Sequence, residues 1–248
     1  MGAVRGAVGG GEGAKGFKPY KRDAGPYVVE IARYDWPDAD RNRKLPVKLY
    51  FPKTGPGPFP IVLFTPGFAS REDYEFLGRH WASHGYVAVH LQHPGSDQAV
   101  LRAPDVKAAA AEAVKPQHGL DRILDVYFAL DRLTALDHDA GSPLRDRLNL
   151  REVGIAGHSY GAGTTLAVAG QKFPQWDEGR STFADPRIKA AITMSAPPVK
   201  PNPPAKLFEM VKTPMLHMTG IRGGGPVDGS QVAERRAVFD SVTNADQY

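Results

Sequence analysis

Val153-Gly154-Ile155-Ala156-Gly157-His158-Ser159-Tyr160-Gly161-Ala162-Gly163 is the stretch that decides how this chain is read. A short apolar run ends in Gly157-His158-Ser159-Tyr160-Gly161, a G-x-S-x-G pentapeptide, and small residues follow it. Strand, sharp turn and helix in that order force a serine into a strained backbone conformation and lift its hydroxyl above a sheet edge. The glycines flank the turn because a Cβ at either position would crowd the neighbouring strand and helix. The helix start also offers free N–H groups to negative charge developing on a substrate oxygen. Ser159 is therefore the candidate nucleophile, and the backbone amide of Tyr160 a candidate oxyanion donor.

Working upstream, residues 61–65 form another buried-strand pattern, closing on Thr65-Pro66-Gly67-Phe68. Acyl transfer on this architecture needs a second oxyanion donor from the loop after the third strand, and the Phe68 amide is placed to pair with that of Tyr160. An ordinary Pro-Gly turn is the other reading. As side chains, Phe68 and Tyr160 either wall a substrate pocket or simply pack.

The remaining pattern alternates. Residues 27–34 and 46–51 read as early strands split by a charged turn over 38–44, and 52–60 as a Pro/Gly loop. A helix capped by Ser70 runs to about Ser83, then a strand over 86–91. Residues 101–115 are alanine-rich and read as helix or loop. Leu120, Ile123, Leu124, Tyr127, Leu130, Leu133 and Leu136 keep helical spacing. Strand 153–157, helix 160–172, strands 188–194 and 215–218, and a polar helix near 231–241 complete the set. Regular alternation implies one α/β domain, a mostly parallel sheet with helices on both faces.

The chain has 248 residues, 42% of them hydrophobic, with no cysteine and a formal charge of +4. That composition supports a packed core and excludes a disulfide scaffold, a thiolate metal site and a cysteine nucleophile. Residues 1–25 carry a net +3 and 8 of the 27 glycines, and read as a flexible basic leader ahead of a domain over 26–248. With so little charge left on the body, no nucleic-acid footprint is expected. No run reaches the ~18 apolar residues of a membrane span, nor the ~7–15 of a secretory signal, and the compartment stays open. No His, Asp or Glu cluster has metal-ligand spacing, and no phosphate-binding glycine loop occurs. No metal or cofactor is expected.

Further segments follow in order: Trp81-Ala82-Ser83-His84-Gly85-Tyr86-Val87, His93-Pro94-Gly95-Ser96-Asp97, Asp185-Pro186-Arg187-Ile188-Lys189-Ala190 and Met218-Thr219-Gly220. With the elbow, they resemble the α/β hydrolases of the dienelactone-hydrolase and platelet-activating-factor acetylhydrolase-like group, and more distantly the cutinase-type polyester hydrolases. The resemblance implies the α/β-hydrolase fold and serine-dependent hydrolysis of small or polymeric carboxylic esters through an acyl-enzyme. Dienelactone hydrolases themselves use cysteine, so that name implies fold and not substrate. The oxyanion loop departs from the group in having Pro66 where histidine is usual.

The same resemblance places the triad acid shortly after Gly220, where Asp228 is the carboxylate present; beside Gly229 it also reads as a solvated turn residue. The base of such a triad follows the last strand. Residues 244–248 read as the start of that strand, and the one histidine after Ser159 is His217, within a strand ahead of the acid loop. The expectation is a chain that stops short of its catalytic histidine and is a poor hydrolase as given. His158 should point away from the nucleophile's side, and His93, after a strand whose end faces the site, could line the pocket. Two alternatives stand beside the esterase: an inactive fragment or ester-binding protein on the same fold, and an acyltransferase using the same serine.

Overall fold

The computed structural model describes residues 23–173, 182–198, 205–220 and 232–248. Among these, seven strands form one sheet: β1 (Val29–Asp38), β2 (Arg43–Pro52), β3 (Phe59–Thr65), β4 (Val87–Leu91), β5 (Leu148–His158), β6 (Ile188–Met194) and β7 (Met215–Met218). Their spatial order is β1-β2-β4-β3-β5-β6-β7. The pairs β1/β2 and β2/β4 are antiparallel, and every pair from β4 onward is parallel. Residues 246–248 lie against the other side of β7, with Met215 N–H donating to Asp246 O at 2.9 Å and Tyr248 N–H to Met215 O at 3.0 Å. That is where the sequence pattern leads one to expect a further strand.

Five helices cover the sheet among the described residues: α1 (Glu75–Ser83), α2 (Val106–Ala113), α3 (Pro116–His138), α4 (Tyr160–Ala169) and α5 (Val232–Ser241). Because strand side chains alternate, one face carries Val47, Leu49, Ile61, Leu63, Val89, Val153 and Ile155, and these pack with Ile123, Val126, Leu166 and Val238 from α3, α4 and α5 into the main core. The opposite face has a smaller cluster of Tyr50, Ala82 and Ala88 under α1. Beside it a cavity of about 430 Å³ opens between Val62, Trp81, Tyr86 and Ile192. No described helix is long and apolar enough to cross a membrane.

Three details differ from the sequence reading. The helix expected from Ser70 begins at Glu75, after turns in which the Ser70 hydroxyl donates to Asp73 Oδ2 at 2.9 Å. Glu72 is drawn off to Arg33 and Lys48 instead of opening the helix, and Tyr74 enters it with φ 60°. The ambiguous stretch over 101–115 contains α2, capped by the Asp105 side chain accepting from Ala108 N at 2.9 Å. Most of the segment read as a leader lies outside the described residues. Its last three residues dock on α1, where Gly25 N–H donates to Ser83 Oγ at 2.9 Å and His84 Nε2 to Asp23 O at 3.1 Å.

Candidate active site

β5 ends at His158 and α4 begins at Tyr160, so Ser159 alone makes the turn between them. Its φ of 54° and ψ of −121° are tolerated in a non-glycine residue only where the surroundings enforce them. Here they do. Ser159 N–H donates to Met194 O of β6 at 2.8 Å, and Ser159 O accepts from Ala162 N at 2.9 Å. A Cβ on Gly157 would collide with the Gly161 carbonyl, and one on Gly161 with the carbonyl of Thr65 at the end of β3. Only this glycine pair lets β3, β5 and α4 close around the serine.

The loop after β3 lies directly against the turn. A Cβ built on Gly67 would stand 3.4 Å from Ser159 Cβ and 3.7 Å from its Oγ, ordinary contact distances. Next along, the Phe68 and Tyr160 rings meet edge to face at 5.9 Å, both part-exposed. Neither the Phe68 nor the Tyr160 N–H finds an acceptor among the described residues. At Tyr160 this follows from its place in the first turn of α4, where N–H groups lack intrahelical partners and the helix end favours negative charge. Two amide donors without acceptors, one following the serine in sequence and one on the loop packed against it, are of the kind that can shelter negative charge.

None of the eight histidines hydrogen-bonds Ser159. His158 faces the α1 side of the sheet, as elbow geometry predicts, with Nδ1 on the Tyr74 hydroxyl at 2.8 Å. His217 sits on β7 with Nδ1 on Thr193 Oγ1 at 2.9 Å and its ring edge-on to Phe239. His90 is buried under α1, and His80, His84, His118 and His138 lie on or beside helices. Asp228 is outside the described residues.

His93 does not face the pocket. It is 1% exposed, because α3 closes over the end of β4 and turns the ring inward. Its Nε2 meets Thr65 Oγ1 at 2.9 Å and its Nδ1 meets Asp125 Oδ2 at 3.0 Å. Burial, with the Arg122 charge nearby, lowers the imidazole to about 4, so it is neutral near pH 7. Asp125 can only accept, which puts the proton on Nδ1 and leaves Nε2 to accept from the Thr65 hydroxyl. Hydroxyl, imidazole and carboxylate are thus connected as in a catalytic triad, yet all three are buried from solvent.

Two charged residues on α3 complete this layer, and the sequence reading passed over both. Asp125 also binds Arg41 Nη1 at 2.9 Å and Arg43 Nη2 at 3.1 Å. Burial alone would raise its carboxyl, but the His93 and Arg43 hydrogen bonds and charges carry it down to about 2. Arg122 is wholly buried below the loop after β3, its guanidinium carbon 4.6 Å from the centre of the Tyr160 ring. A signal existed: the buried face of α3 includes Arg122, Val126, Ala129, Leu133 and Leu136, and both charges fall in phase with it.

A protein assigned as a dienelactone hydrolase from Klebsiella pneumoniae subsp. pneumoniae superposes with a TM-score of 0.65 at 16% identity, covering 89% of this chain and 85% of its own. The fold is that of the α/β hydrolases. Cutinase est1 of Thermobifida alba is 26% identical over 148 residues, covering 59% of this chain and 38% of that protein. Cutinase 2 of Thermobifida cellulosilytica is 27% identical over the same length, covering 43% of itself. The chain spans less than half the length of the curated relatives it matches. The family model described as PET hydrolase-like covers residues 46–222, a span that runs from β2 through the loop after β3 and the Ser159 turn to just past β7, and the chain belongs to that family.

Proposed function

We propose that the protein is a carboxylic ester hydrolase working through an acyl-enzyme on Ser159. The observation that carries this is the strained serine beside two unfilled amide donors, at Phe68 and Tyr160. Ser159 Oγ bonds to the ester carbonyl carbon, its proton passes to a base, and the carbonyl electron pair moves onto an oxygen held by the two amides. Collapse of that intermediate breaks the ester C–O bond, the leaving alkoxide takes the proton, and water repeats the sequence to release the acid. The Phe68 and Tyr160 rings flank the bound ester, and Asp228 serves as the triad acid. The family and the cutinase relatives support small or polymeric esters as substrate.

The base is the open position, since no histidine of this sequence reaches Ser159. That observation favours a second reading, in which the chain binds an ester and turns it over slowly. An oxyanion pocket and binding without a triad retain about 10³–10⁴-fold acceleration over water. The expected result is therefore slow acylation by p-nitrophenyl acetate, an activated ester that asks little of a base, with the acyl group on Ser159 by mass spectrometry. Ser159→Ala should abolish it. Acylation that survives this substitution overturns the assignment, and ordinary enzyme rates in the 248-residue chain would mean that a residue already in it is the base.

A further inference from the structure

We infer that Arg122 is the positioning residue of the oxyanion pocket, holding the Pro66 carbonyl and the Tyr160 ring so that the Phe68 and Tyr160 amides converge before substrate arrives. The inference rests on the serine ester-hydrolase reading and extends it to a residue on α3 that never touches substrate.

All five guanidinium N–H groups are used. Nε donates to Thr164 Oγ1 of α4 at 3.0 Å. Nη1 donates to Ser96 O at 3.2 Å and Ser96 Oγ at 3.1 Å, on the loop after β4. Nη2 donates to Thr65 Oγ1 at 3.1 Å and to the Pro66 carbonyl. The acceptors therefore come from the end of β3, the oxyanion loop, the loop after β4 and α4. These segments must keep a fixed relation if two amides on different loops are to meet one oxygen.

The acceptors are also all neutral. Among the described residues no carboxylate forms an ion pair with Arg122, although the side chain is 0% exposed. The nearby Asp125 and Asp97 charges offset part of the cost of burying this cation, but burial still dominates, and as a structural clip a neutral side chain would serve more cheaply. Beneath an oxyanion pocket the same cation has a use. Its guanidinium carbon lies over the Tyr160 ring, so both its rigid fork and its charge act on the region where the carbonyl oxygen turns negative. Thr65, His93 and Asp125 continue the restraint: Asp125 fixes the imidazole, the imidazole fixes the Thr65 hydroxyl proton, and the Thr65 lone pair faces Arg122.

The test is pre-steady-state acylation by p-nitrophenyl acetate over a range of concentrations, in the native chain, Ser159→Ala, Arg122→Met and Arg122→Lys. Rate constant, half-saturation and burst amplitude are read separately. A positioning role predicts a rate constant lower by about 10²–10³-fold in Arg122→Met, the loss typical of a disabled oxyanion donor. Arg122→Lys, which keeps the charge and loses the fork, should lose roughly tenfold. Half-saturation should hold within about twofold. A merely structural role would lower burst amplitude and thermal midpoint while the folded fraction kept its rate. Should Arg122→Met fail to fold, Arg122→Lys decides. Native-rate acylation in the lysine variant, or in a folded methionine variant, overturns the inference and leaves the esterase reading standing. Acylation that survives Ser159→Ala, or none at all in the native chain, removes the reading and the inference with it.

Discussion

Two charged clusters sit on opposite faces of the same sheet, and they differ in what they are built to do. One joins Asp125, Arg41, Arg43 and His93 to Thr65 and Arg122; His93, Asp125 and Arg122 in it are at most 1% exposed. The other joins Lys48, equally buried, to Glu72 and Glu75, whose side chains are 47% and 43% exposed. In the first, both oxygens of Asp125 are engaged by cations, and the chain of hydrogen bonds ends at Pro66 in the loop after β3. In the second, the ammonium has two alternative carboxylates, both wet, and the links run to Arg33 on β1 and Arg79 on α1, away from Ser159. The lesson is that a polar network transmits constraint through its desolvated end. Water screens the second cluster and makes each member replaceable; without water, each member of the first constrains the next.

The largest effect should come from Asp125→Asn. It leaves Arg41 and Arg43 facing a neutral amide in a buried site, and breaking such a pair costs about 3–5 kcal/mol. A fall in thermal midpoint of roughly 10 °C is expected by calorimetry. A shift no larger than that of a surface charge removal would erase the contrast.

A change of pH should act next, and through both faces. His93 and His90 are each held near 4 by burial against an ordinary 6.5. Between those values the unfolded chain binds more protons than the folded one, so stability is full above about 6.5 and falls as pH drops toward 4. Asp125, carried down from 3.8 to about 2, extends the loss over that lower range. Each imidazole contributes on the order of 1–3 kcal/mol. Urea midpoints at pH 7 and pH 4.5 measure it; equal midpoints would mean that these rings are solvated.

The smallest effect belongs to Glu72→Gln. Lys48 keeps Glu75 at 3.0 Å, and half-exposed pairs contribute less than about 1 kcal/mol. About 1 M salt, where the screening length is near 3 Å, should reduce even that difference while leaving the Asp125→Asn cost nearly intact. Equal salt sensitivity in the two variants would show the clusters to be alike.

What could be read without a structure was local. Gly157-His158-Ser159-Tyr160-Gly161 dictates its own geometry, because a glycine on either side of a serine is required by clashes only a few residues away. The order of strands and helices followed from periods of two and of three to four, and β6 and β7 carry the expected bounds. Where the reading stopped short, a partner distant in sequence had intervened. Ser70 is a sound helix cap by type, yet Glu72 is drawn to Arg33 and Lys48, 39 and 24 residues away, and the helix begins later.

The same division runs through the site. By itself the sequence determined which serine could be strained, and that no cysteine or phosphate loop competes, since each depends on residue type and near neighbours. Only the tertiary structure decided that His93 turns inward, that Asp125 gathers two arginines, and that Arg122 spends its five donors on four separate segments. The stripe on α3 announced a buried face but not what the face would meet. That depends on loops 26 to 57 residues away in the chain closing over it, and burial there ties two ordinary charges to the segments around the Ser159 turn.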